Sequence, residues 1–291
     1  MLKRKILFVI NPISAGRSKY NFPEKIDKYL DKSKFEFECV FTEYHGHGSV
    51  LASEAIKNGA DILVAVGGDG TINEVAGEVD GTDKLMGIIP FGSGNGLARS
   101  LGIPVGDVQA IKRINNMHVS KIDSGSLNGK KFFNMAGVGF DAQISSRFAD
   151  SIKRGLSNYV KIVFSEVLNY DSQYYHLTID GKEYEFKAFM ISIANSSQYG
   201  NNAHISPFAS LEDGLLDVCI LKPFPLYKFP ALALRMFRKS SHKSTYLEII
   251  QGRKIIITRS HEAAVHLDGD PFSMGTILNI GVNPHSLNIL N

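Results

Sequence analysis

At 291 residues, with 44% apolar and 21% charged side chains, the chain is long enough for two domains with real cores and too apolar for disorder. A formal net charge of +3 is too small to imply a nucleic-acid partner. Two distant cysteines, Cys39 and Cys219, exclude a disulfide framework or zinc cluster and read as packing residues, and no apolar run approaches the roughly 18 residues of a membrane span.

In chain order, residues 6–10 read as a buried strand stopped by Asn11-Pro12, too short for a leader core, so a cytoplasmic protein is expected. Residues 23–30 have the apolar spacing of a short helix, 35–41 alternate as a half-buried strand, 49–57 read as a helix and 62–66 as a fully buried strand. A helix over 71–79 follows a glycine run, then a strand over 86–89, a loop over 91–94 and a helix over 95–101. Strictly alternating strands and helices predict a parallel sheet with helices on both faces. Beyond residue 121 the texture changes. Asn128-Gly129 and Asp180-Gly181 each sit between strand-like runs, a hairpin signal. Further strands are expected over 188–194, 215–221, 246–250, 254–258 and 264–267, with helices near 149–168 and 226–237. The expected architecture is therefore an α/β domain over residues 1–125 and a mainly antiparallel β-sandwich domain over 126–291, the last segment being free to return to the first domain. Binding sites are expected at the seam of the two.

Three loops carry the chemistry. Gly67-Gly68-Asp69-Gly70-Thr71-Ile72-Asn73-Glu74 links a buried strand to a helix. Glycines there let backbone approach a ligand, and the free N–H groups of a helix start attract phosphate. The loop lacks the Lys-Ser/Thr of a Walker loop and the last glycine of a dinucleotide fingerprint, and a ligand-free tight turn would use similar residues. Asn11-Pro12-Ile13-Ser14-Ala15-Gly16 and Pro90-Phe91-Gly92-Ser93-Gly94-Asn95 also follow predicted parallel strands, and ligands bind at that carboxyl edge of open α/β sheets.

Taken in order, the three loops resemble the catalytic domain of the diacylglycerol kinase and sphingosine kinase superfamily, closest to its bacterial lipid kinases. The resemblance continues through Phe133-Asn134, Gly139-Phe140-Asp141-Ala142, Asp213-Gly214-Leu215-Leu216-Asp217 and Asp268-Gly269-Asp270, covering nearly the whole chain. NAD kinases share the central loop, whereas the combination marks lipid kinases. The resemblance implies a three-layer, NAD-kinase-like first domain, a β-sandwich second domain, and ATP in the cleft between them as co-substrate. It makes Asn11, Thr42, Gly67, Gly68, Asp69, Gly70, Thr71, Ile72 and Asn73 nucleotide contacts, with Glu74, Ser93, Asp268 and a phosphate-binding Arg154 around them. Mg²⁺ is implied on Asp213 with the carbonyls of Ser210 and Leu215. His45-Gly46-His47 resembles a structural turn of the family.

Phosphoryl transfer also needs a proton acceptor for the attacking hydroxyl. Where relatives carry Asp-Gly-Glu this chain has Asp268-Gly269-Asp270, so its carboxylate is one methylene short. The expectation is Asp270 as base with Asp69 assisting at the phosphate end; the alternative is Asp69 itself as base. Gly96, where many diacylglycerol kinases have Asp, is closer to the small residue of sphingosine kinases and leaves the lipid open between diacylglycerol-like and sphingoid acceptors. Residues 218–247 contain no acid, while Lys222, Lys228, Arg235, Arg238, Lys239 and Lys243 are basic, so the helix near 226–237 reads either as a membrane-surface element or as a core-packed helix with a solvated edge. Two other functions stay open: a kinase of a soluble acceptor such as NAD, and a nucleotide-binding regulator without transferase activity.

Overall fold

The computed structural model describes residues 3–14, 17–151 and 156–291. It divides into two compact units, Met1–Ile122 with His285–Asn291, and Asp123–Pro284.

In the first unit, four parallel strands run in the order Leu85–Pro90, Ile62–Gly67, Arg4–Ile10, Phe35–Phe41. The end of the long strand Ile277–Leu290 lies parallel beside the first of them, with Asn288 opposite Leu85. Ile62–Gly67 is buried at every position, as expected of a central strand covered on both faces. One face packs Phe8, Ile10, Ile62, Val64 and Val66 against helices Phe22–Tyr29 and Asp107–Asn116. Helices His47–Lys57 and Asp69–Val79 pack together against the strands as well. Phe22–Tyr29 starts where the sequence allows, with a proline in its first turn, Glu24 near its N-terminus and Lys28 in its last turn.

The second unit is a sandwich. One sheet orders Lys182–Ala188, Gln173–Ile179, Lys254–Arg259 and the start of Ile277–Leu290, all antiparallel. The other orders Leu247–Gly252, Leu216–Leu221, Met190–Ala194, Met135–Gly139, Ala263–Leu267 and Asp270–Met274. Alternate residues such as Leu177 and Ile179, Ile255 and Ile257, and Val218 and Ile220 meet in one core between the sheets. The back of the second sheet is covered too. There Met135, Met190, Cys219 and Leu221 pack under Phe140 and Ile144 of helix Phe140–Ala149.

The α/β and antiparallel β expectations hold, with local corrections. The hairpin at Asn128-Gly129 forms, but its second strand stops at Phe132. A new strand, Met135–Gly139, then pairs in the other sheet. The break is held by side chains. Asp268 accepts the N–H groups of Phe133, Asn134 and Met135 at 2.7–2.9 Å, and Asn195 donates to the Phe133 carbonyl at 2.7 Å. The strands expected over 183–189 and 188–194 form as Lys182–Ala188 and Met190–Ala194, parted at Phe189, which donates its N–H to Leu221. The helix expected near 149–168 forms as Leu156–Glu166, and a further helix, Phe140–Ala149, precedes it. Helix Asp107–Asn116 and the strands after residue 269 are additions that the sequence reading passed over. No helix among the described residues is long and apolar enough to cross a membrane.

Candidate active site

Parallel registry gathers the loops of the first unit. Ile10 pairs with both Phe41 and Val66, and Gly67 pairs with Pro90, so the four strands end level. The residues that follow, Asn11, Thr42, Gly68 and Phe91, therefore sit side by side at the carboxyl edge, with strands about 4.8 Å apart. Ladder bonds run one step past the strands: Asn11 N–H to the Val66 carbonyl at 2.9 Å, Thr42 N–H to Ile10 at 2.9 Å, Phe91 N–H to Gly67 at 2.7 Å. Asn11 turns back on itself, its Oδ1 accepting the Ile13 N–H at 3.1 Å, while its Nδ2 donates to Thr71 Oγ1 at 3.4 Å. Asn11 and Thr71, chosen from separate motifs, are thus partners.

The two glycine loops touch backbone to backbone. A Cβ on Gly92 would lie 2.8 Å from the Gly68 Cα, and one on Gly94 would lie 2.9 Å from Asp69 Oδ2. No side chain other than hydrogen fits at Gly92 without moving a main chain. Gly68 caps helix Asp69–Val79 and offers no side-chain acceptor. Ile72 N–H is the first to bond within the helix, to Gly68 at 3.0 Å. The N–H groups ahead of it are the ones a helix start leaves without an intrahelical partner.

Acidic side chains hold this edge together. Asp69 spans the second loop, its two oxygens accepting the N–H groups of Asn95 at 2.9 Å and Gly96 at 2.8 Å. Asn95 adopts a left-handed backbone (φ 52°) and donates to the Gly92 carbonyl at 2.7 Å. Its buried Oδ1 has no partner. Glu74, one helical turn on, accepts the N–H groups of Gly46 and Gly48 at 2.8 Å each, tying down the start of helix His47–Lys57. Among the other expected contacts, Ile72 is buried in the core, Thr42 and Thr71 are buried at the edge, Asn73 is half-buried and Ser93 is exposed.

In the second unit, Asp268 and Gly269 both have positive φ (51° and 95°) and close a two-residue hairpin turn in which Leu267 pairs with Asp270. Asp268 faces the three N–H groups described above, and Asp270 opens the returning strand, half-buried. Arg259 pins the same hairpin, its guanidinium donating to the carbonyls of Ala263 at 2.7 Å and Ala264 at 3.2 Å on one strand, and of Met274 and Gly275 on the other side.

Asp213 lies in the turn before strand Leu216–Leu221. Its Oδ1 accepts the Leu215 N–H at 3.0 Å, and Asp123 accepts the adjacent Gly214 N–H at 2.7 Å. Burial, then the nearby Asp217 and Asp123 carboxylates, push the Asp213 carboxyl above the usual range. Ser210 Oγ accepts the Glu212 N–H at 3.2 Å in this turn. No group of three or more His, Cys, Asp or Glu side chains placed to hold a metal occurs among the described residues.

One cluster escaped the sequence reading. Asp141 is buried in the first turn of helix Phe140–Ala149 and accepts from Ser192 Oγ at 2.9 Å, Tyr199 hydroxyl at 3.2 Å and His266 Nε2 at 3.2 Å. Gly137 makes the room: a Cβ there would lie 2.3 Å from Asp141 Oδ2. Burial and the Asp141 charge push the Tyr175 phenol up to about 12. The motif Gly139-Phe140-Asp141-Ala142 is visible in the sequence, but His266, 125 residues on, gives no sign of being its partner. The expected phosphate ligand Arg154 lies outside the described residues, as do Ala15 and Gly16. Both thiols are raised by burial, Cys39 to about 11, which suits packing groups.

Comparison with known proteins covers both units. Residues 5–127 match the diacylglycerol kinase catalytic domain, and residues 134–291 match the YegS C-terminal NAD kinase β-sandwich-like domain. The chain is 31% identical over 270 residues to a "Probable lipid kinase YegS-like" of Cronobacter sakazakii, covering 89% of this chain and 88% of that protein. It is 29% identical over 278 residues to the diacylglycerol kinase of Bacillus subtilis, covering 92% and 90%. A crystal structure of a diacylglycerol kinase from Bacillus anthracis superimposes with a TM-score of 0.77 at 20% identity, over 99% of this chain and 96% of the other, and agrees in fold.

Proposed function

The chain belongs to the diacylglycerol kinase and YegS-like lipid kinase family, and from that premise we propose that it transfers the γ-phosphoryl group of ATP to the hydroxyl of a membrane lipid, diacylglycerol-like or sphingoid. The observation that carries the nucleotide assignment is the backbone contact of Gly68 with Gly92. It leaves a surface made of main chain at the start of helix Asp69–Val79, which suits phosphate oxygens. Asn11, Thr42, Gly67, Gly68, Gly70, Thr71, Asn73 and Ser93 are the contacts assigned to ATP, Ile72 being turned into the core. Asp69 acts as a positioning residue, holding the N–H groups of Asn95 and Gly96 and with them the second loop. Glu74 does the same for Gly46 and Gly48.

Asp270 is the assigned base. The lipid oxygen bonds to the γ-phosphorus as that phosphorus separates from the β,γ-bridging oxygen; ADP leaves with the bonding pair, and the hydroxyl proton goes to Asp270. Asp268 and Arg259 fix the hairpin from which Asp270 projects. The missing methylene of the side chain makes that fixing matter, since displacements of about 1 Å can cost about 100-fold in rate.

Mg²⁺ fits the Asp213 turn. The carboxyl is raised by burial and by two neighbouring acids, an arrangement that a cation would relieve. Asp213 and the carbonyl oxygens of Ser210 and Leu215 would hold it, all hard oxygen donors. Bound there, the ion supplies positive charge to the Asp123, Asp213 and Asp217 group and fixes the turn.

The test is incubation with γ-labelled ATP, Mg²⁺ and mixed-lipid micelles, followed by solvent extraction. Label in the organic phase supports the proposal. Label on added NAD would instead make it a soluble-acceptor kinase, and ATP binding with no transfer would make it a regulator.

A further inference from the structure

Helix Phe229–Phe237 in the second unit reads Phe-Pro-Ala-Leu-Ala-Leu-Arg-Met-Phe, apolar on every side but one. Such a helix belongs in a core or a membrane. Here it contains no buried residue. Phe229, Leu232 and Met236 pack partly against the core beneath. Leu234 and Phe237 stay 47% and 56% exposed, and the turn before the helix adds Leu226 and Tyr227 at 46% and 76%. The edge-on contact of Phe164 with Phe229, ring centres 5.9 Å apart, extends the apolar surface onto helix Leu156–Glu166, where Phe164 is itself 53% exposed.

The charges around this surface have one sign. Residues 218–247 carry no Asp or Glu. Lys222 is paired with Glu248 at 2.7 Å, whereas Lys228, Arg235, Arg238, Lys239 and Lys243 have no acidic partner in the segment. Three of them converge. Lys228, Arg235 and Lys243 line a cavity of about 240 Å³ with Ser244, Thr245 and Tyr246, and no carboxylate lines it. Cations beside hydroxyl donors are the chemistry of a phosphate site.

We propose that this face docks on an anionic phospholipid bilayer, with Leu226, Tyr227, Leu234 and Phe237 entering the boundary of headgroups and chains and the Lys228–Arg235–Lys243 cavity taking a lipid phosphate. Aromatic and aliphatic groups beside cations that have no acidic partner among the described residues, Lys228 lying over the Tyr227 ring, match an interfacial helix. A second copy of the chain is a poor occupant, because it would bring the same uncompensated cations to the contact. The proposal rests on the lipid-kinase reading only for why a bilayer is met.

Vesicle co-sedimentation without ATP tests it apart from catalysis, so loss of the kinase reading leaves this result standing. Wild-type protein is expected to bind phosphatidylglycerol vesicles and to release them at high salt, with little binding to phosphatidylcholine. The triple variant Lys228→Gln, Arg235→Gln, Lys243→Gln should bind phosphatidylglycerol roughly 100-fold more weakly, about fivefold per charge. Phe237→Ser should weaken binding while leaving the salt dependence, a readout that does not rely on the triple variant. Unaltered binding in both variants overturns the proposal. So does release of wild type by millimolar inorganic phosphate at constant ionic strength, which would make the cavity a free-phosphate site. A concentration-dependent dimer abolished by Phe237→Ser, without vesicle binding, would make the face a self-association surface and overturn it equally.

Discussion

Acids in the two units are used for the same mechanical purpose on different targets. In the first, Asp69 and Glu74 each spend both carboxylate oxygens on a pair of backbone N–H groups at the start of a neighbouring helix. In the second, Asp268 spends its oxygens on three N–H groups where the chain crosses from one sheet to the other. Under the proposed function the first kind shapes the surface assigned to phosphate, because helix starts offer free N–H groups to an anion. The second kind shapes the hairpin that carries Asp270, the acid assigned as base. Position in a motif therefore does not assign chemistry to a carboxylate; its partners do.

Substitutions can break that division. Asp270→Asn removes the proton acceptor and should lower kcat by roughly 1000-fold, the middle of the range for general-base removal. ATP affinity, measured by calorimetry, should stay within about twofold. Asp69→Ala leaves two loop N–H groups without their charged acceptor, so ATP affinity should fall about 100-fold, or roughly 2.7 kcal/mol. If Asp69→Ala spared ATP binding and removed only kcat, Asp69 would be the base and the division would fail.

Asp268→Ala should act on stability before chemistry. Losing the acceptor for three N–H groups should cost about 2–4 kcal/mol in chemical unfolding, with Asp268→Asn intermediate. The smallest effect is expected at Asp213. Its raised carboxyl favours the folded state while protonated, and that contribution is fully present below the ordinary carboxylate value and lost as pH rises through the raised one. Asp213→Asn should therefore melt slightly higher than wild type at neutral pH without metal, the difference vanishing below pH ~4. Mg²⁺ should raise the melting temperature of wild type only. Scanning calorimetry across pH, with and without Mg²⁺, measures both.

The legible parts of the molecule are those where local pattern and tertiary position coincide. Val64 and Val66 sit in an unbroken apolar run, and Gly67-Gly68 ends it, so the strand, the turn and the ligand edge could be read together. The parallel order then followed from alternation. Sheet switching in the second unit was not legible at Phe133-Asn134, because what ends the strand there is a carboxylate 135 residues away. Asp141 and His266 illustrate the same limit: Asp141 sits in a visible motif, but nothing local to His266 marks it as the partner, and only folding makes them a buried pair. Helix Asp107–Asn116 was missed for a different reason. Its buried positions, Ala110, Ile111 and Ile114, are few, and apart from Val108 polar residues fill the remainder.

The division of labour between Asp69 and Asp270 is tested most directly by measuring, on the same preparations, ATP affinity and label transferred from γ-labelled ATP into extractable lipid. Wild type should bind ATP and label lipid, Asp270→Asn should bind ATP as well as wild type and label almost none, and Asp69→Ala should lose both. Lipid left unlabelled by wild type, or ATP binding lost in Asp270→Asn as fully as in Asp69→Ala, would contradict the account.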